Sequence, residues 1–597
     1  MIDLGRWTTG IALALASLTT VLVGAQASRP GQRPNRDTPA QASADAAAPA
    51  GRITGRVLAA DTGRPVIRAR VFLSGAQVQG GRGALTDTEG RFELTELPEG
   101  RYTLTAGKTG FITLSFGQRR PLQAGTPIQL ADKQQLTGLD FRLPRGSVIA
   151  GHIFDEAGDP LPGANVRVLR YEYAQGNRQL VPVSVTQSDD LGAFRVWGLN
   201  PGEYYVSAVT APFGNGGRGF GPGGPPAIGG RGGRGGPGGG PGGTGGPGEA
   251  EQVGYAPTFY PGVPTVTEAR AVTVGLSMEV PSVDFNVLLV RTARVAGRVT
   301  NPDGTPTSSG NIVLMPESGG LPGRGPASGT SSSRIDWDGS FSMASVPPGR
   351  YLLRARGDDT EEPQFAVQPI TIGEQDLTSL TVILSPAAAV SGTVTFQRSQ
   401  SQSTADPGQI RVAAPLVNAV DIGPNPTTRV DRDGTFTLTG VQAGLHLFRT
   451  QGNQRGWMLK SVTVSGRETI DTPLELRSGQ KLTGVNMVFT DRLTEVNGTI
   501  TDERNAPITE YTLLAFPLDE ELWRAQSRHI MTARPEQNGK YQLRGLPAGD
   551  YYLVAVDPTE QGEWFESAYL TAHRVGAIRF SLAEGDVKTQ DFRLRTK

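Results

Sequence analysis

The sequence predicts an all-β protein, built as five tandem β-sandwich domains in an elongated array. Three observations carry this. Short stretches alternate apolar and polar residues with the period of two that half-buried strands require. Gly (80) and Pro (44) make up about a fifth of the 597 residues, so turns are abundant. Four short motifs recur in the same order five times, the mark of a repeated structural unit.

Composition narrows the function. The 57 basic and 57 acidic side chains cancel, which gives no broad electrostatic attraction to nucleic acid or to an anionic membrane. There is no cysteine, which excludes disulfides, Cys-ligated zinc, thiol catalysis and acylation at a lipobox.

The chain opens with Arg6, an apolar run over 11–23 and a small-x-small site ending at Ala27. This is the pattern of a secretory signal peptide over 1–27, cleaved after Ala27. The run is too short for the roughly 20 residues that span a bilayer, and no later segment is long and apolar enough. Residues 28–50, rich in Ala, Pro, Gln, Ser and Arg, read as a disordered linker. No hydrophobic tail precedes Lys597, so no C-terminal anchor is expected.

The first motif is an apolar-x-Gly-x-apolar strand, centred on Gly55, Gly151, Gly297, Gly392 and Gly498. Its glycine admits a close approach by another backbone or side chain. The second is an acidic-x-x-Gly-x-aromatic turn: Asp87-Gly90-Phe92, Asp189-Gly192-Phe194, Asp336-Gly339-Phe341, Asp431-Gly434-Phe436 and Glu536-Gly539-Tyr541. The acidic side chain can cap turn N–H groups, and the aromatic begins the next strand pointing inward. The third is apolar-x-x-Gly-x-aromatic: Leu97-Gly100-Tyr102, Leu199-Gly202-Tyr204, Val346-Gly349-Tyr351, Val441-Gly444-His446 and Leu546-Gly549-Tyr551. Proline stands between apolar residue and glycine in every copy but the fourth, a tight-turn signal. The fourth motif is a closing strand around Phe141, Phe285, Val382, Met487 and Phe592.

Between turn glycines the spacing is 102 residues from Gly90 to Gly192, 95 from Gly339 to Gly434 and 105 from Gly434 to Gly539. The interval from Gly192 to Gly339 is 147, an excess that residues 214–248, a 35-residue tract with 21 glycines, largely explain. The expected sandwiches are 51–145, 146–290 with the disordered Gly-rich insert 214–248, 291–386, 387–491 and 492–597.

These patterns resemble the carboxypeptidase regulatory-like domain, here in an exported bacterial repeat protein. That family has a prealbumin-like (transthyretin-like) or Ig-like sandwich, also grouped with carbohydrate-binding-like folds. Copy one carries the resemblance best, in Ile53-Thr-Gly55-Arg-Val57, Asp61-Thr-Gly63-Arg-Pro65-Val66 and Leu97-Pro98-Glu99-Gly100-Arg101-Tyr102. Copy two follows with Gly158-Asp159-Pro160-Leu161-Pro162-Gly163. Copies three and five keep weaker forms at Asp303-Gly304-Thr305-Pro306 and Asn505-Ala506-Pro507, and copy four lacks the Gly-x-Pro. The resemblance covers nearly everything after residue 50 and implies a fold more than a function.

Motifs for catalysis and cofactors give no enzyme. The four histidines, His152, His446, His529 and His573, are far apart, and none begins a His-Glu-x-x-His pattern, so no metal is expected. His446 takes the place of the motif-three tyrosine and reads as a core or rim residue. Gly107-Lys108-Thr109 lacks the upstream glycine of a phosphate loop and reads as a turn. Asp336-x-Asp338-Gly339 and Asp431-x-Asp433-Gly434 lack the closing Glu of a calcium loop and read as turn formers. Copies two and three contain no lysine, so neither forms an internal Lys–Asn crosslink. Arg218, Arg231 and Arg234 give the Gly-rich tract an RGG flavour, but a flexible loop fits a neutral exported chain better than RNA binding.

The remaining candidates are aromatic. Tyr255, Phe259 and Tyr260 follow the glycine tract, Trp457 lies in copy four, and Trp564, Phe565 and Tyr569 lie in copy five. Such side chains either fill cores or form stacking platforms for sugars or peptides. The expectation is a non-catalytic, monomeric binding or spacer protein without cofactors, in the periplasm, on the cell surface or outside the cell. Its partner is a glycan, implied by the carbohydrate-binding-like resemblance, or an envelope protein. The alternative is an accessory subunit of a separate peptidase or outer-membrane receptor.

Overall fold

The computed structural model describes residues 51–594, apart from 211–252, 318–329 and several shorter stretches. The expected signal peptide, the 28–50 linker and the 214–248 insert therefore lie outside the described residues. What is described is all-β and consists of five tandem sandwiches, each two sheets closed over its own apolar cluster.

The first sandwich shows how the motifs make a unit. Strand β1 (Gly51–Ala59) alternates buried and exposed residues along its length. It pairs antiparallel with β4 (Arg91–Leu97) and parallel with the closing strand β6 (Phe141–Leu143). The facing sheet runs β3 (Val78–Leu85), β2 (Arg70–Gly75), β5 (Gly100–Gly107). Inward residues of both sheets, among them Val57, Val71, Phe92, Leu104 and Phe141, form the core. Full burial of a side chain of this size is worth about 1.5–3 kcal/mol.

The register repeats. The motif-one glycine sits opposite the motif-two aromatic in all five copies: Gly55 on Phe92, Gly151 on Phe194, Gly297 on Phe341, Gly392 on Phe436 and Gly498 on Tyr541. A β-carbon on these glycines would overlap a closing-strand carbonyl, that of Leu139, Val283, Leu380, Val485 or Gln590. The glycine is there so that the closing strand can approach. In three copies an aspartate of that strand caps the next backbone N–H: Arg56 N donates to Asp140 Oδ1 at 2.8 Å, His152 N to Asp284 at 2.7 Å and Thr499 N to Asp591 at 2.7 Å.

The turns behave as their chemistry predicts, with one shift. Gly90 takes φ of +73°, the left-handed region, where a side chain would be strained. In copies one and two the first acidic residue caps the turn, Asp87 accepting from Glu89 N and Arg91 N, and Asp189 from Leu191 N and Ala193 N. In copies three and four the cap moves two residues on, to Asp338 and Asp433, which accept from Ser340 N and Thr435 N. Copy five uses Asn538. The Gly-x-Pro segment also has a structural role. Its proline bridges the end of the first strand in four copies, as Leu58 with Pro65, Phe154 with Pro160, Thr300 with Pro306 and Thr501 with Pro507.

Two copies depart from the common plan. In the fourth, the closing strand Lys481–Thr490 is long and carries Met458–Val464 on its free edge. The fifth inserts a short helix, Ser567–His573, whose Leu570 is buried beside Phe516 and Trp523. Contacts from the fifth sandwich reach the fourth, through Lys460–Glu584 at 2.8 Å, and also the second, where Arg170 pairs with Glu560 and Tyr173 donates to Glu566. Ion pairs between non-neighbours leave no trace in a repeat pattern.

Candidate functional site

A cleft of about 430 Å³ lies between the second and third sandwiches. One wall comes from the strand Thr258–Phe259 and the turn after it, supplying Ala256, Pro257, Phe259, Pro264 and Thr265. Strand Thr258–Phe259 is held as an edge by pairing with Ser207 and Ala208. The other wall is the motif-three corner of the third copy, Pro347 to Tyr351, with Pro316 and Glu317 at the end of strand Gly310–Pro316.

The third-copy corner is rigid. The Tyr351 hydroxyl donates to the Pro347 carbonyl at 2.8 Å, and burial pushes its pKa up to about 12. Glu317 N donates to the Arg350 carbonyl at 2.9 Å, and the Arg350 guanidinium meets Glu317 Oε2 at 3.0 Å. This pair sits at the exposed rim, so it contributes little stability but leaves both charges available to a ligand. Five prolines and two aromatics line the floor and walls. Chemically the cleft offers proline C–H surfaces, one cation, one carboxylate and the Thr265 hydroxyl, with Phe259 and Tyr351 nearly buried behind them, and its volume is that of a small-ligand site.

The seven candidate aromatics do not share one face. Phe259 is buried against Leu169 and Leu180 and forms part of the cleft wall. Tyr255 is half-buried and its hydroxyl donates to Glu156 at 2.7 Å, which together with desolvation pushes its pKa up to about 12. Tyr260 is half-buried, edge-on to Phe285. Trp457 is buried in the fourth core, 5.0 Å from the Phe396 ring. Trp564, Phe565 and Tyr569 are half-buried around Phe516, Trp523 and Leu570, and Phe565 also lies close to Gly176 of the second sandwich. Phe259 alone of the seven reaches the cleft. Its other wall, from Pro347 to Tyr351, was legible only as turn chemistry, because nothing local marks which corner a neighbouring unit will face.

The remaining chemistry-bearing residues are spread out. Lys108 Nζ donates to the Ile67 carbonyl at 2.7 Å, a turn contact. Asp471, between the fourth and fifth sandwiches, accepts from Arg528 Nε and His529 Nε2 at 3.0 Å each. Burial pushes its pKa up, but the hydrogen bonds from His529 and Arg528 and the nearby positive charge together outweigh it and hold the pKa down to about 2. Among the described residues no three His, Asp or Glu side chains come together as a metal ion would require.

Residues 52–144 match the family model of the carboxypeptidase regulatory-like domain. The first sandwich is similar to that family. The match spans one unit, and the other four copies share its strand register. Comparison with curated proteins finds no match. Among solved structures the chain is similar to a streptococcal ancillary pilin, at 14% identity over 51% of this chain and 99% of that one, with a TM-score of 0.18. It is also similar to GBS52, the minor pilin of Streptococcus agalactiae, at 15% identity over 40% and 97%, with a TM-score of 0.20. The RrgB pilus protein of Streptococcus pneumoniae gives 8% identity over 76% and 98%, with a TM-score of 0.14. Scores this low do not bear on function.

Proposed function

We propose that the protein is an exported, non-catalytic multidomain binding and spacer protein whose ligand is a glycan held in the cleft between the second and third sandwiches. The observation that carries this reading is the make-up of the cleft. Proline C–H surfaces suit the apolar faces of sugar rings, and the rim pair Arg350–Glu317 offers a donor and an acceptor to hydroxyl groups. Export rests on the signal pattern ending at Ala27. The five units supply reach.

Retention of the purified protein on a glycan array and on insoluble envelope polysaccharide tests the reading. Binding to at least one polysaccharide is expected. No retention on any of them removes the glycan and leaves a spacer. Copurification with a stoichiometric peptidase or receptor from the envelope would favour the accessory role instead.

A further inference from the structure

In four copies the motif-three tyrosine closes its corner in the same way. Its hydroxyl donates to the carbonyl four residues back: Tyr102 to Pro98 at 2.6 Å, Tyr204 to Asn200 at 2.6 Å, Tyr351 to Pro347 at 2.8 Å and Tyr551 to Pro547 at 2.8 Å. In the fourth copy His446 makes this bond with a ring nitrogen, Nε2 lying 2.8 Å from the Gln442 carbonyl oxygen. The imidazole then does something no tyrosine can. Its other nitrogen, Nδ1, lies 2.7 Å from the Ala414 carbonyl oxygen.

Both partners are carbonyl oxygens, which only accept. A neutral imidazole donates from one nitrogen and presents a lone pair on the other. With one proton, therefore, one of these two contacts would set lone pair against lone pair in a ring that is 2% exposed. We infer that His446 carries protons on both ring nitrogens in the folded protein, and that the corner of the fourth sandwich is a proton-dependent fastening.

The fastening joins two segments. Leu416 bridges to His446, Val417 N donates to the Leu445 carbonyl, and Leu447 N donates to the Pro415 carbonyl, so the Nδ1 bond ties residues 414–417 to the corner. The neighbouring charges do not take over its role. Glu475, on the paired strand Leu474–Leu476, is exposed opposite Leu445. The Arg449 guanidinium is spent on the carbonyls of Phe448 and Ile470, and Arg411 is exposed at the start of strand Arg411–Ala413. Among the described residues no carboxylate forms an ion pair with the ring, so two carbonyl dipoles hold its charge.

Loss of either ring proton breaks one of the two bonds to carbonyl oxygens, so the corner opens more readily as pH rises.

Nitrogen NMR of the full chain with labelled histidine tests the proton count, with His446→Tyr, or His446→Gln if that variant fails to fold, assigning the signal. Two protonated ring nitrogens at pH 7 are expected for His446. Hydrogen exchange over 411–417 and 442–449 tests the fastening. Protection in the wild type should fall relative to His446→Tyr by about tenfold or more between pH 6 and 8. A single protonated nitrogen with the corner still closed, or identical pH profiles for the two proteins, would overturn the inference.

Discussion

Arg170 in the second sandwich donates to Glu560 in the fifth at 2.6 Å, across 390 residues of chain. The guanidinium is buried, its Nη1 has no hydrogen-bond partner among the described residues, and Glu172 stands 3.8 Å away as a weaker second anion. Removing the Glu560 charge strands a buried cation, which costs several kcal/mol when both partners are buried. Glu560 is 44% exposed, so the expected loss for Glu560→Gln is smaller, about 1–2 kcal/mol. The chain has no cysteine, so two introduced ones can carry dyes on the second and fifth sandwiches. One short distance is expected in the wild type and a mixture of short and long in the variant. An unchanged distribution would show that this pair does not hold the contact.

Acid should loosen the joint between the fourth and fifth sandwiches. Asp471 has its pKa lowered to about 2 by His529 and Arg528, so its contribution is complete above the unfolded value near 4 and fades as pH falls to about 2. That interval corresponds to on the order of 2 kcal/mol. Hydrogen exchange over 468–472 and 526–531 should show protection falling across this interval. Asp471→Asn should start less protected and lose the dependence.

Space and backbone conformation separate two glycines of the first sandwich. Gly55→Ala drives a β-carbon into the Leu139 carbonyl and the Phe92 ring, and should destabilise the unit by about 3 kcal/mol or more. Gly63→Ala meets nothing within 4 Å but sits at φ of +65°, so about 1 kcal/mol is expected. Exchange protection of strand Gly51–Ala59 in the full chain reports both, and equal losses would mean that the closing strand does not dictate the glycine.

These contrasts show what the sequence carries and what it leaves out. The pairing of Gly55 with Phe92 and its four counterparts is legible because alternation, turn glycines and corner prolines are local and repeat in order. The helix Ser567–His573 is not, because seven residues set among strands hold too few turns to display a helical period. The aromatics divide for a similar reason. Trp457 and Phe259 look alike in sequence, yet one fills a core and the other also reaches the wall of a cleft. The cleft joins Pro264 to Pro348 from separate units, and only the packing of those units creates it. His446 was legible as a replaced tyrosine, but its second carbonyl partner, Ala414, lies 32 residues away on a different segment.

The most direct test compares polysaccharide retention by the wild type with that of Arg350→Glu. This position is 75% exposed, and the substitution sets two carboxylates at the rim without touching the core. Retention by the wild type and a drop of about tenfold in affinity for the variant, some 1.4 kcal/mol, are the expected results. Equal retention by both proteins would place the ligand elsewhere and contradict the assignment of this cleft.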